Sequence, residues 1–341
     1  MSEKSNKLRE KLSKKYEGLF VIDGEKNDRN CSFEAIPTGS LQIDLASGIG
    51  GLPRGRVVEL IGPESGGKST IALHIIREAQ KKGLDCLYVD TEGSFDRDWA
   101  KKIGVNVEDI VFGDPETAEE GLDLMEDAVK EGIGVVVLDS VADLIPKKEM
   151  EGSAEDQHFS PLARVLTPAM RKIKYYAKPI RGNSLVICIN QLRENINTFG
   201  FGDKYHSPGG KAIKHNATMR IEVLRRAWIY PPGEKENPIG AKTKVKFVKN
   251  KAASPFKVAE CDIYFDRGID DSGMYVDKAI ELGVVKKAGT WFAFGNTKIQ
   301  GRESFVDAMK EQKKIDEIIQ YVNSGGIPEQ EQETEENPFS G

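Results

Sequence analysis

Residues 56–69 read RVVELIGPESGGKS. The first half is a β-branched, apolar run, and the second is a glycine-rich turn that ends on Lys68 and Ser69 and fits the pattern GxxxxGK[ST]. A helix is expected to follow, from Lys68 to Lys82. A strand that runs through such a turn into a helix lets backbone N–H groups curl around phosphate oxygens, with the helix N-terminus adding its dipole. Gly62, Pro63, Glu64, Ser65, Gly66, Gly67, Lys68, Ser69 and Thr70 are therefore candidate nucleotide-binding residues. Lys68 is placed to reach the β- and γ-phosphates of ATP, and the Ser69 hydroxyl to ligate Mg²⁺.

Outward from this stretch, apolar runs alternate with helical patterns. DCLYVD (85–90), GVVVLDS (134–140) and SLVICINQ (184–191) read as strands, and Ala118–Glu131 and 160–177 as helices. Strands this uniformly apolar, separated by helices, predict an α/β fold with a mostly parallel central sheet covered on both faces. Ligands in such sheets lie at the carboxyl ends of the strands. Asp139 closes one strand, where a phosphate-binding protein needs a carboxylate for its metal; a strand-end Asp by itself would more simply cap the next helix, but with the glycine-rich turn present the metal role is favoured. Three further acids, Asp90, Glu92 and Asp96, sit at the end of 88–96. One of them is needed as a general base for the attacking water, and position alone does not choose among them, although Glu92 is favoured.

The 341 residues suffice for a core of about 200 to 250 residues with smaller attachments. No apolar run approaches the roughly 18 residues that span a bilayer, and the N-terminal stretch MSEKSNKLREKL lacks a signal-peptide core, so a cytoplasmic protein without a membrane partner is expected. Cys31, Cys86, Cys188 and Cys261 are widely spaced and read as reduced thiols. The net charge of -5 is matched by five Glu in 328–341, so the remainder of the chain is neutral and the acidity is confined to a tail. A short amphipathic helix over 5–16 and a strand over 19–22 precede the core and suit docking onto a neighbour or onto their own core. A small α+β module is expected after about 270, its last helix running from Arg302 to Val322.

Two polar segments, 150–160 and 194–210, follow core strands and carry Phe159, Phe199, Phe201 and Tyr205. Arg164, Arg171, Lys172 and Lys174 follow the first, and Arg193, Lys204, Lys211 and Lys214 flank the second. Cations interleaved with aromatics are what single-strand binding uses, with phosphates on the charges and bases against apolar faces.

PTGS (37–40), GGLPRGRVVELIGPESGGKS (50–69), AMRKI (169–173), INQLR (189–193) and VKNKAASPFK (248–257) together resemble the bacterial RecA recombinase family, and the resemblance runs from about residue 5 to 322. It implies a RecA-like P-loop ATPase core over 36–269, an N-terminal helix and oligomerisation strand over 1–35, a C-terminal domain over 270–327 and an acidic disordered tail over 328–341. The activity it implies is ATP-dependent recombination: a helical homo-oligomeric filament on single-stranded DNA, DNA-dependent hydrolysis of ATP with Mg²⁺, and strand exchange with homologous double-stranded DNA. Promotion of repressor self-cleavage in the damage (SOS) response, a single-strand-binding protein and a LexA-type repressor as partners, and a nucleoid-associated location come with it. Glu92 is similar to the family's catalytic glutamate and Gln191 to its γ-phosphate sensor. Trp99 occupies the place of an aromatic that stacks on adenine, with Asp96 near the base, and Phe265 joins the nucleotide-binding set. Lys249 and Lys251 resemble a pair that reaches the neighbour's ATP across the subunit interface.

The two polar segments are similar to the family's DNA-binding loops. Phe159 and Ile196 are placed to wedge between bases, and Arg164, Arg171, Lys172, Arg193, Phe199, Gly209, Gly210 and Lys211 are DNA-binding candidates. At one position the chain departs from the pattern: His215 stands where the resembling proteins commonly carry an aromatic that relays nucleotide state. The second loop is also about one residue longer.

Overall fold

The computed structural model describes residues 33–152, 161–194, 205–206, 208–231 and 233–324. Outside them fall the expected N-terminal helix and strand, Cys31, most of the two loops (with Phe159, Ile196, Phe199, Phe201 and Lys204) and the acidic tail.

After a short antiparallel pair, β1 (Ala35–Ile36) with β2 (Leu52–Pro53), around α1 (Leu41–Ser47), the core alternates strand and helix. It runs β3 (Val57–Gly62), α2 (Lys68–Lys81), β4 (Cys86–Asp90), α3 (Arg97–Ile103), β5 (Ile110–Gly113), α4 (Ala118–Lys130), β6 (Val135–Asp139), α5 (Lys147–Met150), α6 (Pro161–Tyr176) and β7 (Leu185–Gln191). A small hairpin, β8 (Arg193–Glu194) with β9 (Tyr205–His206), and α7 (Ala212–Asn216) lead into four further strands: β10 (Met219–Ile229), β11 (Gly240–Asn250), β12 (Val258–Tyr264) and β13 (Gly268–Ile269).

The main sheet has the order β13-β12-β11-β10-β3-β7-β6-β4-β5. From β10 to β5 every neighbour pair is parallel, and β11, β12 and β13 extend the sheet antiparallel. The β3, β6 and β7 runs are nearly all apolar because both faces are covered: α1 and α2 share one core cluster, α4 and α6 the other. Asp139, Asn190 and Gln191 fall at the carboxyl ends of their strands, whereas Glu59 lies in the middle of β3 with its side chain 1% exposed. The parallel register sets it opposite Arg220 of β10, whose Nε donates to it at 2.7 Å, and the Asn190 amide of β7 donates from the other side at 3.2 Å.

The turn after β3 approaches β10 so closely that glycine is required. A Cβ on Gly62 would lie 2.1 Å from the Val223 carbonyl oxygen, a backbone atom with no freedom to withdraw. Gly67, which opens α2, has φ +96, a left-handed conformation that favours glycine.

The C-terminal module comprises α8 (Ser272–Glu281), a sheet of β14 (Lys286–Ala288), β15 (Trp291–Phe294) and β16 (Thr297–Gln300), then α9 (Arg302–Glu311) and α10 (Ile315–Ser324). Its own core gathers Phe292, Phe305, Met309 and Ile318. One helix was expected over 302–322. Instead Lys313 adopts φ +56 and splits it into α9 and α10, so that Phe305 and Ile318 both turn inward, which a single straight rod does not allow. The module is tied to the core by the Ser40 hydroxyl, which donates to Asp271 at 2.5 Å, and by Lys310 on Asp270 at 2.7 Å. Cys86, Cys188 and Cys261 are free and buried, and burial pushes the Cys86 thiol up to about 12.

Candidate functional site

A pocket of about 320 Å³ lies at the carboxyl ends of β3, β4, β6 and β7. It is lined by the turn from Glu64 to Thr70 and by Glu92, Asp139 and Gln191, which the fold brings together from four strand ends. Lys68 is buried and its ammonium donates to the Gly62 and Pro63 carbonyls at 3.2 and 2.7 Å; burial lowers its pKa.

Asp139 is 1% exposed. Its Oδ2 accepts from the Tyr88 hydroxyl at 2.6 Å, Ser69 also reaches the carboxylate, and Oδ1 is buried with no partner among the described residues. Burial raises the Asp139 pKa against the pull of those two hydroxyls. An unsatisfied carboxylate oxygen beside a serine hydroxyl is a hard, all-oxygen donor set of the kind that suits Mg²⁺.

The three acids after β4 have separate roles in the geometry. Asp90 accepts from the backbone N–H groups of Glu92, Gly93, Ser94 and Phe95 at 2.9 to 3.3 Å and so shapes the turn. Asp96 caps α3, accepting from Trp99 N–H at 2.9 Å, and it does not line either pocket at the turn. Glu92 is left facing the pocket, its pKa raised by partial burial and then by Asp139 and Asp143.

Beyond the same turn a second cavity of about 460 Å³ holds Trp99 and Phe265. Arg225, Trp228 and Thr243 also line it, and nothing in the sequence reading pointed to them. The signal available was a tryptophan in the polar strand stretch RRAWIY, which is unusual enough to ask what covers it.

Lys249 and Lys251 are not near this pocket. Lys251 N–H bonds Thr218, whose own N–H bonds Val57, at the start of β3. The pocket opens at the other end of that strand, about 17 Å away at about 3.3 Å per residue. Lys249 Nζ donates to the Lys214 carbonyl at 2.6 Å, beside the exposed His215 of α7. Burial and then Lys251 and Lys174 lower the Lys249 pKa, the mark of crowded like charges.

A single residue, Leu192, separates Gln191 from the β8–β9 hairpin at the base of the second loop, where Arg193 pairs with His206. Asn190 donates to the Pro208 carbonyl at the loop's far end, and Gly209 and Gly210, both left-handed, turn the chain against α6. Arg164 and Arg171 are exposed seven residues apart, on one face of α6, and Lys211 precedes α7. Lys172 is 3.3 Å from Glu126, which Lys130 also holds at 2.8 Å.

Two family models match the chain in succession: the RecA N-terminal domain over residues 6–270 and the RecA C-terminal domain over 273–323. The chain belongs to the RecA family. It is similar to the protein RecA of Rickettsia canadensis, at 42% identity over 295 residues, 86% of this chain and 84% of the relative. The protein RecA of Rhodospirillum rubrum is 43% identical over 302 residues, 87% of this chain and 81% of that one. The crystal structure of the RadB recombinase superposes with a TM-score of 0.51 at 20% identity, covering 69% of this chain and 98% of that chain, a likeness of fold. As a RecA-family member, the chain is an ATP-using, DNA-dependent P-loop ATPase of homologous recombination that binds DNA and forms filaments. No described helix is long and apolar enough to cross a membrane.

Proposed function

We propose that ATP bound at the turn of residues 62–70 is hydrolysed with Glu92 as general base, and that its presence switches the grip of the two loops on single-stranded DNA. The supporting observation is the convergence of Lys68, Ser69, Glu92, Asp139 and Gln191 on one pocket, with Gln191 two residues from the base of the second loop. Lys68 neutralises the β- and γ-phosphates, and the N–H groups of the turn orient them. Mg²⁺, held through Ser69 and Asp139, supplies charge neutralisation on the phosphate oxygens when bound. Glu92 takes the proton of the attacking water, a role suited to a carboxyl whose pKa is already raised. Gln191 reads the γ-phosphate and passes its presence along the chain to the hairpin at Arg193.

Since Lys249 and Lys251 lie at the far end of β3 from their own pocket, they serve the nucleotide of a neighbouring subunit. A cation is thereby brought to the developing phosphate charge only when subunits stack. Arg164, Arg171, Arg193, Lys211, the glycine turn 209–210 and the aromatic and apolar side chains Phe159, Phe199 and Ile196 make up the DNA surface. Lys172 contributes less to it than its neighbours, because Glu126 already holds it. Trp99 and Phe265 flank the base, whereas Asp96 acts through the helix that carries Trp99.

The domain division follows the same reading: an oligomerisation arm over 1–35, the ATPase core over 36–269, a small domain over 270–327 and an acidic tail that competes with DNA. A cytoplasmic, nucleoid-associated location, cooperation with a single-strand-binding protein and support of LexA-type repressor cleavage belong to it as well. ATP hydrolysis is measured with and without single-stranded DNA on the wild type and on Lys68→Ala, followed by imaging of filaments. Hydrolysis that DNA does not stimulate, or that survives Lys68→Ala, overturns the proposal.

A further inference from the structure

The cavity beyond the turn is built with more detail than a generic apolar recess. Ser65, Gly66, Gly67 and Thr70 line both it and the pocket that holds Glu92 and Asp139, so a ligand with phosphates in the turn has its other end in this cavity. Trp228 remains 40% exposed there and Phe265 50%. The Arg225 guanidinium lies 4.0 Å from the indole centroid of Trp228, Phe265 meets the same ring edge-on at 6.1 Å, and Arg225 also donates to the Ser65 carbonyl at 3.4 Å.

Residues 225 and 228 are three apart and on a regular strand would face opposite ways. The β10–β11 register shifts between Arg225 and Ala227, inserting one extra residue, and this bulge brings both side chains to the cavity side. Directly across the ladder from Arg225 stands Thr243. It is 1% exposed, it lines the cavity, and its hydroxyl is buried with no hydrogen-bond partner among the described residues. A flat aromatic wall held in place by a cation, next to an unsatisfied hydroxyl, is suited to a heteroaromatic ring that stacks and offers one polar edge.

We infer that Trp228, braced by Arg225, and the Thr243 hydroxyl bind the nucleoside end of the nucleotide, with Trp228 stacking on a purine base and Thr243 giving it one hydrogen bond. The inference rests on the reading of residues 62–70 as the triphosphate site. A hydroxyl both donates and accepts, so it tolerates either an amino or a carbonyl edge. Selection for purines over pyrimidines then comes from stacking area.

The test compares equilibrium binding of ATP, CTP and inorganic tripolyphosphate, which has no base, to the full chain. Trp228→Ala is expected to weaken ATP about 10- to 100-fold and to shrink the preference for ATP over CTP to what Trp99 and Phe265 sustain, with tripolyphosphate affinity unchanged. Thr243→Val is expected to weaken ATP about 3- to 10-fold, again sparing tripolyphosphate. Trp228→Phe keeps an aromatic ring should the alanine variant fail to fold; it is expected to retain most ATP affinity and to lose the part of the ATP-induced quenching of indole emission that Trp228 contributes. Equal ATP-to-tripolyphosphate ratios in wild type and Trp228→Ala, or unaltered quenching in Trp228→Phe, overturn the inference. Failure of the underlying reading has a different signature, namely Lys68→Ala binding tripolyphosphate as well as wild type does.

Discussion

Replacing Arg220 by Met removes the guanidinium 2.7 Å from Glu59, whose carboxylate is 1% exposed in the middle of β3. One amide donor remains to it, from Asn190 at 3.2 Å. Breaking a buried ion pair from one side typically costs about 3–5 kcal/mol, because the surviving charge is cut off from water and has lost its contact partner, with Lys249 acting on Glu59 only through space. At roughly 2–4 °C per kcal/mol for a domain of 150–250 residues, that corresponds to a fall of about 6–20 °C in melting temperature. The two residues face each other in register, so Glu59→Leu with Arg220→Met places two apolar side chains where the ion pair stood, and the double variant is expected to regain most of the loss. Thermal unfolding of wild type, both single variants and the double completes the cycle. A double variant as unstable as the sum of the singles, or Arg220→Met within about 1 kcal/mol of wild type, would refute the reasoning.

Glu92→Gln is expected to slow steady-state ATP hydrolysis by about 10²- to 10⁴-fold while leaving equilibrium ATP binding intact. Lys249→Ala should lower DNA-stimulated turnover without changing the affinity of the single subunit for nucleotide, measured below the assembly concentration. Burial pushes the Asp44 carboxyl from 3.8 up to about 7, so the folded chain holds a proton there that the unfolded chain has released. Its contribution to stability therefore falls as pH rises from about 4 to about 7 and then levels off. Asp44→Asn should gain on wild type between pH 5 and pH 8 in chemical denaturation; an equal difference at both pH values removes Asp44 as the cause.

The turn of residues 62–70, the parallel strands and the helices beside them were legible because their signals are local: glycine spacing, uniformly apolar runs and 3.6-residue periodicity. The choice among Asp90, Glu92 and Asp96 was not, since it depends on which carboxylate the backbone consumes, and Asp90 accepts four N–H groups. The break at Lys313 carries no glycine or proline and is set by the packing of Phe305 and Ile318. Trp228 and Thr243 escaped notice because a bulge, invisible in residue types, decides which way the first one faces.

The placement of Lys249 and Lys251 at the far end of β3 has an arithmetical consequence for any stack in which they complete a neighbour's site. A row of n copies then holds n − 1 finished catalytic centres. One terminus offers a lone triphosphate and the other a lone pair of ammonium groups. Turnover per copy climbs with row length toward a plateau, growth and loss differ at the two tips, and short rows fire least often, so a nascent row is spared from consuming the fuel that holds it together.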